Sequence, residues 1–311
     1  MPDFLHPLTW SRNWAKRRLQ NHPACGLHSC SGSQTLWQRL RSRRTGTFLQ
    51  GVFYCQPQCL ETALTAQLSR LHVLAPAPLP PNRVPLGLLM VARGKLTYSE
   101  VLVALDAQRR ARSGKIGDWI EKLGFASEQD VTTALALQWG CPVASSPDPT
   151  ALESASRIPL ALLDAFQMLP LNYAATTNML YIAFGERVDH AALYAIERIL
   201  DCRTQPCVAP RKTIARHLEH LRQQSRPNDL EFSPTNDFAE MSRIASSYMA
   251  RLSPDEVRLS RMGCFIWMCL KTGNSATNLL FRLKAPSSSQ FPVHSSQKQP
   301  LAPSHQAPAF S

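Results

Sequence analysis

Residues 85–108 read PLGLLMVARGKLTYSEVLVALDAQ, and residues 115–138 read KIGDWIEKLGFASEQDVTTALALQ. They align without a gap at an offset of 30. Gly87 falls on Gly117, Gly94 on Gly124, Val101 on Val131, Ala104 on Ala134, Leu105 on Leu135 and Gln108 on Gln138. Leu86 meets Ile116, Met90 meets Ile120 and Thr97 meets Ser127. A whole ungapped set of this kind marks a duplicated unit.

Each copy predicts a helical hairpin. A short helix begins near Gly87 or Gly117 and stops at Gly94 or Gly124, where glycine takes the left-handed conformation at little cost. Thr97 with Glu100 has the spacing of a capping box, and Ser127 with Asp130 is its shorter-armed relative. Second helices follow over about 98–110 and 128–139. Val101, Leu102 and Leu105 share a face in the first copy, as do Val131, Ala134 and Leu135 in the second. Two copies are fewer than a solenoid needs, so a paired-hairpin subdomain is expected.

Working outward, 158–165 predicts a short helix. Strand-length apolar runs follow at 168–174 and 179–184, joined by the polar turn Thr176–Thr177–Asn178. A helix capped by Asp189 spans 189–200. A third strand is expected at 202–209 and a closing helix at 212–224. The order is α-β-β-α-β-α, a small layer with helices on one face. Beyond it, 238–252 has helical spacing, and 257–259, 264–270 and 279–283 read as strands. The expected fold class is α+β. A duplicated helical hairpin subdomain leads into a small ββαβα layer, together residues 85–225. This body is flanked by a basic, cysteine-containing N-terminal segment (1–74) and a small C-terminal α+β appendage (236–284). Residues 75–84 (APAPLPPNRV) and 226–235 read as linkers. The Ser-, Pro- and Gln-rich tail 285–311 reads as disordered, because it has too few apolar residues to offset chain entropy.

The net charge is +12. Residues 1–50 hold eight Lys/Arg against one Asp, so the basic character sits mainly in the N-terminal arm. Such an arm suits nucleic acid, anionic lipid or an acidic partner, and equally a solvated arm with no partner. No run approaches the ~20 apolar residues of a membrane span. The nearest is 262–270 (MGCFIWMCL). The start of the chain lacks the apolar core of a signal peptide. A soluble, cytoplasmic protein is expected, in which the nine cysteines stay reduced or bind metal.

Four of those cysteines form pairs: Cys25 and Cys30 in CGLHSC, then Cys55 and Cys59 in YCQPQC. Paired thiols on short turns suit tetrahedral zinc. The second pair, with an aromatic before it and a helix after it, resembles the second knuckle of treble-clef zinc fingers. The first pair is more widely spaced than is usual there, and His28 is an alternative ligand to Cys30. A structural rather than catalytic zinc is implied, because four ligands leave no open position. The other reading is four metal-free thiols on a loop and a helix.

The repeat and the layer after it resemble the MshEN domain. This domain stands at the N-terminus of the ATPases that power type II secretion and type IV pilus assembly. The similarity runs over about 83–223 and includes the close RKTIARHLEHL. It implies a ligand or a partner: in some members each half binds one side of cyclic-di-GMP, while others act as docking modules. Carried over by position, the ligand residues are Leu86, Gly87 and Gln108 in the first half and Lys115, Ile116, Gly117 and Gln138 in the second. The family's arginines are missing. Pro85 stands at the first position and can donate nothing, and Lys115 at the second lacks the planar fork of arginine. Arg83 and Arg112 lie near enough in sequence to substitute. Equally, the glycines and glutamines suit a purely structural role.

No G-x-x-x-x-G-K-[S/T] pattern occurs, so the phosphate cradle of the ATPases is missing and no enzyme is expected. The expected function is a regulatory or docking protein that senses cyclic-di-GMP or binds a partner of a secretion- or pilus-type system. The alternative is a nucleic-acid-binding protein that uses the basic arm and zinc knuckle.

Overall fold

The structure is a computed structural model. It describes residues 24–30, 46–73, 83–144, 157–224, 226–273 and 275–284. The basic residues of the N-terminal arm, nearly all of the expected 75–84 linker and the expected disordered tail lie outside the described residues.

In chain order, β1 (Thr47–Leu49), β2 (Val52–Tyr54) and α1 (Pro57–Val73) come before the repeat. The repeat forms α2 (Leu86–Ala92), α3 (Tyr98–Ala111), α4 (Ile116–Lys122) and α5 (Glu128–Trp139). The layer follows as α6 (Leu160–Phe166), β3 (Met168–Ala174), β4 (Met179–Phe184), α7 (His190–Leu200), β5 (Arg203–Val208) and α8 (Arg211–Arg222). The last elements are β6 (Asp229–Phe232), α9 (Phe238–Leu252), β7 (Glu256–Met262), β8 (Phe265–Thr272) and β9 (Ser275–Arg282). The class is α+β.

The hairpins form for the local reasons visible in the sequence. Gly94 and Gly124 have φ of 66° and 72°, which ends α2 and α4 by the left-handed route. Thr97 and Ser127 cap α3 and α5, each in a reciprocal capping box with Glu100 and Asp130. The two hairpins then cross. α2 packs on α5 as well as on α3, and α4 packs on α3 as well as on α5. Their core is Leu86, Met90, Leu96, Val101, Ala104, Ile120, Val131 and Ala134. One facing residue differs from expectation. Leu102 is exposed, and the buried face of α3 runs through Val101 and Ala104, one helical step round. Lys95 of the first copy and Asp130 of the second form an ion pair at 2.8 Å. With the Ser127 hydrogen bonds, it holds the Asp130 carboxyl down at about 2.

The layer has a three-stranded sheet in the order β3-β4-β5, with β3–β4 antiparallel and β4–β5 parallel. The segment leaving the second hairpin lies along its free edge, where Ala144 N donates to Val208 O at 2.7 Å.

The outer segments depart from the sequence reading. The N-terminal segment, the 226–235 linker and the C-terminal appendage were expected as three separate pieces. Instead they build one six-stranded sheet in the order β2-β1-β7-β8-β9-β6. β1 pairs in parallel with β7, and β6, inside the expected linker, pairs in parallel with β9. One face of this sheet, through Met262, Phe265, Trp267, Cys269 and Leu280, joins the core of the layer. The other, through Val257, Leu259, Ile266, Met268, Leu270, Leu279 and Phe281, is covered by α1 and α9. The apolar run 262–270 is thus explained by a strand buried on both sides.

The glycines at the start of each copy are fixed by packing. A Cβ on Gly87 would lie 2.8 Å from Val101 Cγ1, and one on Gly117 would lie 3.0 Å from Val131 Cγ1. Gly87→Ala is therefore expected to destabilise the protein by roughly 1–3 kcal/mol through overpacking. Val101→Ala in the same chain should recover part of that loss. Denaturant unfolding of the two single variants and the double variant measures it, and strictly additive losses would refute the contact.

Candidate ligand face and metal centre

The ends of the two copies lock each other by the same device. Gln108 Nε2 donates to Gly114 O at 2.9 Å, and Gln138 Nε2 donates to Val84 O at 2.7 Å. Val84 and Gly114 are themselves equivalent positions in the repeat. The last residue of each copy therefore clips the carbonyl just ahead of the other copy's first helix. Arg83 lies with its guanidinium 3.3 Å from the centroid of the Trp139 ring and donates to Gln138 O at 3.3 Å.

The structure therefore brings Arg83 to Gln138, and Gln108 to the turn before Lys115. Arg112 is exposed at the C-cap of α3, with φ of 49°. Leu86 is buried and Ile116 half-buried in the hairpin core. Gly87 and Gly117 are buried against valines of the neighbouring helices.

Lys115 faces the layer. It forms an ion pair with Glu186, just after β4. Arg211 also reaches Glu186, at 3.1 Å, and forms a close ion pair with Asp118. Lys212 lies 3.8 Å from Glu121 and 3.4 Å from Glu128. Its backbone N–H donates to Glu128 Oε1 at 2.9 Å. Glu128 thus serves as an N-terminal partner for α8, a helix whose preceding Pro210 offers no side-chain cap. The negative charges of Asp118, Glu121 and Glu128 meet the positive end of that helix dipole. This acidic grip docks the second hairpin on the layer.

Apart from Lys115, none of these partners was singled out from the sequence as a site residue. The repeat held the signal. Asp118, Glu121 and Glu128 of the second copy fall on Leu88, Val91 and Tyr98 of the first. In the first copy Leu88 is 46% and Tyr98 61% exposed, and Val91 is half-buried. Because the helices of the two copies begin at equivalent residues, these three side chains occupy on the first hairpin the place of the acidic grip on the second.

The second site is a cluster of thiols. The Sγ atoms of Cys25, Cys30, Cys55 and Cys59 all lie within 4.8 Å of one another. Cys30 Sγ is 3.3 Å from Cys55 Sγ and 3.6 Å from Cys59 Sγ. His28 is exposed and not part of the cluster. Cys55 directly follows β2, and Cys59 lies in the first turn of α1. Residues 24–30 are held beside them by the bond from Gly26 N to Phe53 O at 2.8 Å. Burial pushes the Cys55 thiol far up, and the contacts with Cys30 and Cys25 add to this. Burial and then the Cys30 contact push Cys59 up to about 11. The donor set is one that soft, tetrahedral metal ions select. By contrast, Cys202 and Cys207 are buried among apolar side chains, which raises both to about 12, and they act as core residues.

Residues 139–228 match the family model of the MshEN domain. The match covers the layer and begins at the last residue of α5. Among solved structures, that of MshE with cdg is 25% identical and spans 45% of this chain and 99% of its own, with a TM-score of 0.37. Two structures of the N-terminal domain of XpsE are 18% and 20% identical. They span 43% and 42% of this chain and 91% and 89% of theirs, with TM-scores of 0.33 and 0.27. No curated protein matches the chain. No helix among the described residues is long and apolar enough to cross a membrane.

The acidic grip should weaken with acid. Burial raises the Asp118 carboxyl, but the Lys115 N–H and the Arg211 side chain outweigh it, so its value lies below the ordinary 3.8. A depressed carboxylate contributes stability that is complete above the unfolded value and lost as pH falls through the folded one. Asp118→Asn should therefore lower stability at pH 7, by about 1 kcal/mol or less given the exposure of Arg211. The gap to wild type should close below about pH 4. Unfolding at pH 7 and pH 3 tests this, and an unchanged gap would count against the ion pair.

Proposed function

We propose that the chain is a non-catalytic docking protein of a secretion- or pilus-type system, with zinc as a structural cofactor. The first hairpin presents the partner-binding surface. The observation that carries this reading is the divergence of the copies at one equivalent place. The second copy uses three carboxylates to hold α8, whereas the first offers Leu88, Val91 and Tyr98 there. Isolated exposed apolar side chains are ordinary. Exposed Leu88 and Tyr98 beside half-buried Val91, on a surface whose twin is an interface, point to an apolar helix face as the partner.

A photo-reactive residue at position 88, expressed in the native host, should capture one discrete protein. Tyr98→Asp should abolish that capture without shifting the unfolding midpoint. Cross-linking that is diffuse, or indifferent to Tyr98→Asp, would sink the docking reading.

The second reading is a cyclic-di-GMP sensor. Its support is the family resemblance together with Arg83, Gln108, Arg112, Lys115 and Gln138 around the junction of the copies. On this reading the nucleotide displaces Lys115 from Glu186. Calorimetry should then give a micromolar Kd, about −8 kcal/mol, weakened tenfold or more by Lys115→Ala. The absence of heat, or equal affinity in the variant, would remove the nucleotide and leave docking. The nucleic-acid alternative depends on the basic arm, outside the described residues. It predicts salt-dependent binding that is lost when 1–60 are deleted.

A further inference from the structure

The six-stranded sheet is closed at one end by very little backbone. β1 and β2 have three residues each. They turn through Gln50 and Gly51, both at positive φ, as a tight two-residue hairpin requires. A hairpin this short is not stable alone. Its parallel pairing with β7 registers only Phe48 with Glu256 and Leu49 with Val257. At the open end of this hairpin, next to β2 and the first turn of α1, stand the four thiols.

We propose that a zinc ion held by Cys25, Cys30, Cys55 and Cys59, and not by His28, is the clasp that fastens the N-terminal segment to the sheet built from the far end of the chain. The inference rests on the zinc reading above and adds the ligand set and the work done by the metal. A tetrahedron with Zn–S bonds of about 2.3 Å has S···S edges of about 3.8 Å. The separations of 3.3 and 3.6 Å, and the 4.8 Å ceiling for the whole set, bracket that edge. They are far from the ~2.05 Å of a disulfide, and no disulfide joins the four. A multi-iron cluster would hold its thiolates further apart.

The surroundings suit an anionic centre. α1 begins at Pro57 and carries Cys59 in its first turn, so the positive end of the helix dipole faces the thiolates. Burial disfavours the thiolate of Cys55 and of Cys59 in the metal-free protein. Zinc replaces four protons, which pass to solvent, and converts four S–H groups, two half-buried and two buried, into four bonds. Those bonds tie three pieces together: residues 24–30, the end of β2 and the start of α1. α1 in turn packs on α9 through a shared core that includes Leu64, Leu68, Met241 and Ala245.

The test uses the full-length protein. Elemental analysis should find one equivalent of zinc, retained in His28→Ala and lost in Cys30→Ser and Cys59→Ser. Cobalt(II) exchanged into the wild type should show the absorption of a tetrahedral site with four thiolates, and this reports on the ligands even if a serine variant misfolds. Chelation should speed hydrogen exchange at least tenfold in β1, β2 and the first turns of α1, and leave α2–α5 protected. Less than half an equivalent of zinc, or iron in its place, overturns the zinc reading itself. Metal loss in His28→Ala with retention in Cys30→Ser overturns the ligand set. Bound zinc whose removal leaves exchange in 46–60 unchanged overturns the clasp alone.

Discussion

β8 carries apolar side chains on both of its faces, and the rest of the architecture follows from covering them. Trp267 and Cys269 point into the core of the layer, while Ile266, Met268 and Leu270 point into the core under α1 and α9. A strand with only one apolar face could sit at the surface of an antiparallel sheet. One with two needs a layer on each side. The MshEN-like layer supplies one cover. The N-terminal segment, with α9, supplies the other, although it is some 200 residues away in sequence. The polar atoms in this strand are matched as well: Trp267 Nε1 donates to Asn278 Oδ1 at 2.9 Å, and Asn278 Nδ2 donates to Asp229 Oδ1 at 2.8 Å. That chain of bonds leads from β8 through β9 to the start of β6. It helps explain why a segment that reads as linker is recruited as an edge strand.

What could be read from the sequence was local. Gly94, Thr97 and Glu100, and their partners thirty residues on, specify helix ends by rules that need no knowledge of the rest of the chain. The strands of the layer were visible because 168–174 and 179–184 are apolar, of strand length and separated by a turn. The six-stranded sheet was hidden for a matching reason. β1 is three residues, Thr-Phe-Leu, and β6 is Asp-Leu-Glu-Phe, too short for any periodicity to emerge. Beyond the short β1–β2 hairpin, their partners β7 and β9 lie across long sequence gaps and pair in parallel, so no turn announces those pairings. The thiol cluster was half legible. Spacing suggested two pairs and a choice between His28 and Cys30, and only the approach of residues 24–30 to Phe53 settles which side chains meet. The acidic grip was legible in principle, since it appears where the aligned copies disagree rather than where they agree.

That disagreement has a physical logic. Two copies that clip each other reciprocally present equivalent positions in two places, and among the described residues α8 covers one of them. On the covered side, carboxylates are favourable: they meet Arg211, Lys212 and the amino end of a helix. On the other side, the same three carboxylates would simply be hydrated, and substitution there is free of the constraint imposed by α8. Polar residues would then be expected, since exposed Leu and Tyr forgo the roughly 1.5–3 kcal/mol that burial of such a side chain yields, in a molecule whose net stability is small. Leu88, Val91 and Tyr98 stand there instead. A duplicated hairpin in which one face is acidic and holds its own layer, while the equivalent face carries Leu88 and Tyr98 exposed among the described residues, bears different chemistry at one repeated place.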